Sequence, residues 1–394
     1  MMSINSTFNS AYAEVDATVG TKADRWAAIA KDLERQLAEL PTVGPGYSRL
    51  GVMYVTDDLE DDYSSILTYL RQCTEIKDWT GSVGLGISVG GREYFGRPAA
   101  GVLIMTLPTS SYAMLPTLRQ NVDEIPADVV DWMRTATPPF GVVHGDPMNA
   151  EVVQLVESLS MEIENLNLEI PGFLVGGLAA SRNMEIQTAG SIPNGGLSGV
   201  LFSPEIEVAT GLSQGCMPVG ATHQISDCRD NVIMTLEGET ALEVFKKDIG
   251  ELLARDLRRV DGYIHAAFPV EGSDMGDYTV RNLQAIDVKR GWLAVGQRVH
   301  NGDKVLFVRR DPKSAEQDLR RMVKSLLKRL PEPPRAALYF SCVARGPSLF
   351  GTEGFETQLI QNLLGDIPLV GFFGNGEISN NRLYGYTGVL TLFL

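Results

Sequence analysis

The chain has 394 residues, room for about two domains, and a hydrophobic content of 44%, ordinary for a globular protein. A net charge of -15 argues against nucleic acid or an anionic membrane as the main partner. The four cysteines (Cys73, Cys216, Cys228, Cys342) show no paired spacing and no zinc framework. With no signal peptide and no apolar run of bilayer length, they predict a cytoplasmic protein with reduced thiols.

Residues 1–20 are small and polar and read as a loose N-terminus. From Lys22, the residues Trp26, Ile29, Leu33 and Leu37 recur at helical spacing until Pro41 stops the run. A strand–helix–glycine-rich turn–strand order then appears three times. It runs over residues 49–107, again over Phe140–Ser203, with Ile170-Pro-Gly before its glycine turn, and finally over Ala337–Leu394. Repetition on this scale identifies architecture before any single residue does.

Between the second and third copies, Glu205–Thr210, Gly211–Gly220 and Asn231–Leu236 read as strands, with Glu237-Gly as a two-residue turn. A helix is expected from Ala241 to Arg259. Strands are expected over Tyr278–Val288 and Gly291–Val299, the second joined through Asn301-Gly to Lys304–Val308 as a hairpin. Ser314–Leu330 is an amphipathic basic helix.

The pattern predicts an α/β (α+β) fold: mixed β-sheets flanked by helices, built from repeated β-α-β-β units. The domain expectation is a loose segment 1–20, an N-terminal domain 21–240 holding two units, and a C-terminal domain 241–394 holding the third.

Gly371-Phe-Phe-Gly-Asn-Gly-Glu377 carries the most suggestive chemistry. Its glycines let backbone N–H groups approach a ligand, with Asn375, Gly376 and Glu377 at hand, but they serve a tight strand-to-strand turn equally well. Arg345 follows a strand, where its planar fork suits a carboxylate, and Cys342 is either a reactive thiol or a buried inert one. Ser213, Gln214 and Cys216, on a glycine-flanked stretch, line a pocket or form a structural crossing. His144 stands at a strand end, a placement suited to acid–base work, and Asp146 before Pro147 reads as a turn cap. No nucleophile elbow and no paired histidine motif exists; His144, His223, His265 and His300 are scattered, and one of them suffices as an axial haem ligand.

Val208–Gly220, together with Ser341–Gly346, Leu364–Ile378 and Gly385–Phe393, resembles the N- and C-terminal domains of the FIST family. The resemblance implies a sensory, signal-transducing module that binds a small ligand without catalysis. The implied pocket residues are Gln214, Gly215, Cys216, Cys342, Arg345, Asn375, Gly376 and Glu377. One departure stands out: Ala344 precedes Arg345 where many relatives have glycine. With no output domain attached, the resemblance implies a separate signalling partner, with oligomerisation left open. The alternatives are haem-based nitric-oxide sensing through a histidine and a cysteine-dependent enzyme.

Overall fold

The computed structural model describes residues 6–16, 21–166, 172–182, 195–270 and 277–394. Ile170 and Pro171, at the start of the second glycine motif, lie outside the described residues. The chain divides into two compact units. Unit 1 comprises Met1–Ser213, Leu319–Leu383 and Thr387–Leu394; unit 2 comprises Gln214–Asp318 and Tyr384–Tyr386.

The first repeat carries β1 (Thr7–Glu14), α1 (Lys22–Leu37), β2 (Tyr47–Thr56), α2 (Tyr63–Thr74), β3 (Asp78–Gly84), β4 (Gly86–Val89), β5 (Arg92–Phe95) and β6 (Ala99–Pro108). The second carries β7 (Tyr112–Leu118), α3 (Ala127–Ala136), β8 (Phe140–Gly145), α4 (Val152–Leu166), β9 (Phe173–Leu178) and β10 (Leu197–Phe202). The third begins at β11 (Val208–Gln214). Unit 2 then interrupts it with β12 (Cys216–Pro218), β13 (His223–Arg229), β14 (Val232–Leu236), β15 (Glu239–Thr240), α5 (Ala241–Ile249), α6 (Glu251–Ala254), β16 (Ile264–Pro269), β17 (Tyr278–Asp287), β18 (Trp292–Val295) and β19 (Lys304–Arg310). The repeat resumes with α7 (Pro312–Arg329), β20 (Ala336–Cys342), α8 (Pro347–Phe350), α9 (Phe355–Leu364), β21 (Leu369–Gly374), β22 (Glu377–Asn380), β23 (Arg382–Tyr384) and β24 (Thr387–Phe393).

Unit 1 therefore holds all three repeats, each founded on its own sheet: β1-β6-β2-β3, β7-β10-β8-β9 and β11-β24-β20-β21. In each, the second and third strands of the sheet in chain order pair in parallel through a helical crossover, and the last strand returns antiparallel. Helix pairs cover the outer faces, α1 and α2 on the first sheet and α3 and α4 on the second, with α7 and α9 on the third. The inner faces of all three sheets share one apolar core.

The sheets also exchange strands. β4–β5 of the first repeat extends the third sheet, through β4 pairing with β21. β22–β23 of the third repeat extends the second, through β22 pairing with β9. From the second repeat, Ala180 N donates to Val83 O of β3, and Arg182 pairs with Asp57 at 2.6 Å. Each repeat thus lends chain to a neighbour in cyclic order. Matching registers identify Gly81, Gly176 and Gly371 as equivalent, opposite Met53, Val143 and Tyr339. A Cβ at these glycines would stand 1.8, 1.7 and 1.7 Å from the partner's carbonyl oxygen, so the parallel pairing requires glycine at all three.

Unit 2 is a closed antiparallel barrel in the order β19-β13-β14-β18-β17-β16, with β16 returning to β19. Its apolar interior includes Ile225, Leu293, Phe307 and, from α5, Leu242 and Phe245.

Several expectations are corrected. Residues 7–14 are not loose but form β1, paired with β6 along its length; residues 1–5 and 17–20 lie outside the described residues. Contact units and sequence domains are distinct divisions here: unit 2 runs through residue 240, where β15 pairs with β14 and leads directly into α5. The helix expected over Ala241–Arg259 is broken at Gly250, whose φ of +79° cannot continue an α-helix. Asn301-Gly is not a hairpin turn between β18 and β19. Those strands have other neighbours, and the segment crosses the barrel through Val299 N to Asp230 O and Gly302 N to Ile225 O. Glu237-Gly238 is the expected two-residue turn, both residues at positive φ, joining β14 to β15.

Candidate functional site

The C-terminal end of β20 leads into a buried charged cluster within unit 1. Arg345 donates from Nε and Nη2 to Glu356 Oε1, at 2.8 and 2.6 Å, and both side chains are fully enclosed. Glu356 also accepts from Tyr339 Oη (2.7 Å), Ser341 Oγ (3.1 Å) and Gly346 N (3.0 Å). Gly346 supplies that N–H from a positive φ of +52°, with the Phe373 and Phe95 rings where a Cβ would sit. Burial works against the guanidinium's charge, but the Glu356 carboxylate outweighs it and holds Arg345 protonated.

Glu93, on the strand lent by the first repeat, closes the cluster at the start of α9. Its carboxylate accepts from Gly354 N (2.8 Å), Glu356 N (3.1 Å), Thr357 N (3.1 Å) and Thr357 Oγ1 (2.9 Å), so it satisfies the exposed N–H groups of the first turn. Burial and the neighbouring Glu356 push its pKa up to about 7, opposed by these donors.

Glu377 opens β22 and lies near enough to act on Arg345 electrostatically. Oε2 accepts from Thr387 N (3.2 Å) and Thr387 Oγ1 (2.7 Å), and the Cys342 thiol donates to the same carboxyl. Burial pushes its pKa up to about 8, opposed by Thr387, Arg345 and Cys342. It is therefore protonated at neutral pH. Two buried polar atoms remain without a hydrogen bond here: Arg345 Nη1 and Glu377 Oε1. Their residues are each 1% exposed and lie close enough to influence one another's ionisation. An unsatisfied donor and an unsatisfied carboxyl oxygen thus share one interior, an exception to the usual pairing of buried polar groups.

The structure thus brings Cys342, Arg345 and Glu377 together. Asn375 and Gly376 serve another purpose, as the turn that hands the chain between sheets: Asn375 N donates to Leu178 O, Leu178 N to Gly376 O, and the Asn375 side chain is exposed. Gln214, Gly215 and Cys216 belong to unit 2. Gln214 N donates to Asp318 Oδ2 and its Nε2 to Tyr278 O, Gly215 O accepts from Asp311 N, and the buried Cys216 gives its carbonyl to Tyr278 Oη. They form a strand crossing, the structural alternative read from the sequence.

His144 is a core residue rather than an acid–base group at a strand end. At positions equivalent across the three repeats stand Tyr54, His144 and Phe340, with ring centroids 5.5 to 6.3 Å apart. Tyr54 Oη meets His144 Nε2 at 3.0 Å and Thr80 Oγ1 meets Nδ1 at 3.2 Å. Burial depresses its pKa to about 3, so the ring is neutral. Asp146 is the turn cap expected, accepting from Met148 N and Gly195 N.

Both nitrogens of His144 are engaged, His223 pairs with Asp248 and Glu237, and His300 is an exposed turn residue beside Asp303. His265 is 1% exposed under the ring of Tyr386. Of the thiols, Cys73 and Cys228 are pushed up by burial, which favours the unreactive form. No helix among the described residues is long and apolar enough to cross a membrane.

Glu356 and Glu93 were not legible as site residues. An acidic residue in the first turn of a helix is an ordinary response to the helix dipole. Nothing in Arg92-Glu-Tyr-Phe announces a partner more than 250 residues away.

A FIST N domain matches residues 49–239 and a FIST C domain residues 241–380. FIST domains are associated with sensory signal transduction. The chain is also 29% identical over 391 residues to an uncharacterized protein of Mycobacterium tuberculosis, spanning 93% of this chain and 98% of the relative. An uncharacterized protein of Mycobacterium bovis is 29% identical over 245 residues, 59% of this chain and 63% of the relative.

Proposed function

The chain belongs to the FIST family, and on that premise we propose that it is a sensory protein that binds a small ligand without transforming it, the ligand's polar group being held by Arg345, Glu377 and Cys342. One observation carries the reading: Arg345 Nη1 and Glu377 Oε1 are buried, close enough to interact, and lack hydrogen-bond partners. A protonated Glu377 presents a donor beside the guanidinium N–H, so the pair suits an acceptor group such as a carboxylate.

Neither side chain reaches the surface, so entry of a ligand requires the surrounding elements to open. Occupancy is thereby tied to conformation, which is what a sensor needs and a simple binding cleft does not provide. A separate signalling protein receives the liganded state in this reading.

Formate and acetate, the smallest carboxylates, test it. Titrated at pH 6.5, at least one raises the melting temperature saturably in the wild-type protein, and Arg345→Lys weakens the response by about tenfold or more, or 1.4 kcal/mol. Equal responses in the two proteins, or none in either, overturn the reading.

A further inference from the structure

A second unexplained polar group lies in unit 2. His265, on β16, is 1% exposed, and neither ring nitrogen makes a hydrogen bond of normal geometry. Its neighbours on β16, Ile264 and Ala266, face the barrel interior. His265 therefore belongs to the opposite face, in register with Asn282 of β17 and Val308 of β19. The ring of Tyr386 covers it, with centroids 4.4 Å apart and planes 35° from parallel.

Tyr386 is held there in an unusual way. Its φ of +64° makes it the one aromatic residue among the non-glycine residues described at positive φ. Bulky side chains adopt that region only when the surroundings impose it. Its hydroxyl donates to Asn282 Oδ1 at 2.6 Å, Asn282 is exposed, and Tyr386 itself is half-buried. The stack thus has a solvent-facing edge. Arg310 lies near enough to act on His265 electrostatically, opposed by a weak side-chain hydrogen bond from Asn282 and, less, by Asp261.

We propose that Tyr386 is a displaceable occupant of a binding site for a small planar aromatic acid, which stacks on His265, hydrogen-bonds to Asn282 and places its anionic group toward Arg310. The phenol of Tyr386 is the template for the ring. A neutral imidazole offers one donor and one acceptor, and neither makes a hydrogen bond of normal geometry while Tyr386 occupies the site. Departure of Tyr386 relieves a strained backbone and lets a ligand reach polar atoms that its own side chain leaves unsatisfied. The site is independent of the Arg345–Glu377 cluster, and neither stands or falls with the other.

The test titrates 4-hydroxybenzoate into the full-length protein carrying 13C-labelled histidine, with cyclohexanecarboxylate as the non-aromatic control. The His265 Cε1–H signal, assigned by its loss in His265→Gln, is expected to move saturably while the other three histidine signals stay fixed. Cyclohexanecarboxylate and the Asn282→Ala variant are each expected to bind about tenfold more weakly. Tyr386→Gly, which removes both the plug and the strain, is expected to bind severalfold more tightly. A wild-type protein that stays silent at 10 mM while Tyr386→Gly binds makes Tyr386 a permanent filler and overturns the proposal. So does equal binding by the aromatic and non-aromatic acids.

Discussion

Arg345 directs two of its N–H groups at a single oxygen of Glu356, and neither residue has any contact with solvent. A buried pair of this kind is a poor source of net stability, yet breaking it strands a charge. Arg345→Met is therefore expected to cost about 3–5 kcal/mol in urea unfolding. Adding Glu356→Gln to it is expected to restore part of that loss, because the stranded carboxylate disappears. Strict additivity of the two substitutions would show that the pair is not coupled.

Stability is expected to fall as pH rises from 6.5 to 8. The unfolded Glu377 has already lost its proton there, while the folded residue keeps it until about 8. Each pH unit in that window costs roughly 1.4 kcal/mol. Glu377→Gln, neutral at every pH, is expected to flatten the decline. Urea midpoints at half-unit steps from pH 6 to 9 decide it, and an unchanged slope in the variant removes Glu377 as the cause.

On the acid side the sign reverses. The unfolded His144 takes up a proton near 6.5, whereas the folded ring resists until about 3, so stability is lost as pH falls through that interval. His144→Phe is expected to remove this contribution while costing about 1–3 kcal/mol at neutral pH, since Tyr54 Oη and Thr80 Oγ1 lose their partner. Adding Tyr54→Phe and Thr80→Val is expected to recover most of the loss. Acid-unfolding curves of the three proteins make the comparison.

Alanine at Gly81, Gly176 or Gly371 is expected to cost at least ~3 kcal/mol at each position, because a Cβ cannot approach a carbonyl oxygen so closely without parting the strands. Gly44, with open space around it, serves as the control, and Gly44→Ala is expected to shift stability by no more than about 0.5 kcal/mol. Similar melting temperatures for Gly44→Ala and any one of the other three would contradict the equivalence of the repeats.

Much of this was legible in the chain. The three repeats, the glycine-dependent strands and the Arg345 and Glu377 motifs are local patterns, readable from spacing and composition. What escaped was non-local. β4 reads as a continuation of β3, and nothing near Gly86 tells that its partner is Phe373 rather than a strand of its own repeat. β1 is short, polar and separated from β6 by some 90 residues, so its pairing was invisible. Unit 2 interrupts the third repeat between β11 and α7, and no local pattern tells that the chain returns afterwards to the same sheet. Glu93 and His265 gained their meaning from neighbours that only the completed sheets supply.

The cyclic lending of chain among the repeats bears on how such a protein can be cut or can grow. In a linear array, an end member can be removed and its neighbour capped. Here every repeat is both donor and recipient, so there is no end member. Deleting one leaves a bare sheet edge on one survivor and an unplaced segment on the other. An added fourth repeat has no edge to occupy unless the circle reopens. Three is then a closed number, and variation is confined to what can be spliced into a connection, as the barrel of unit 2 has been.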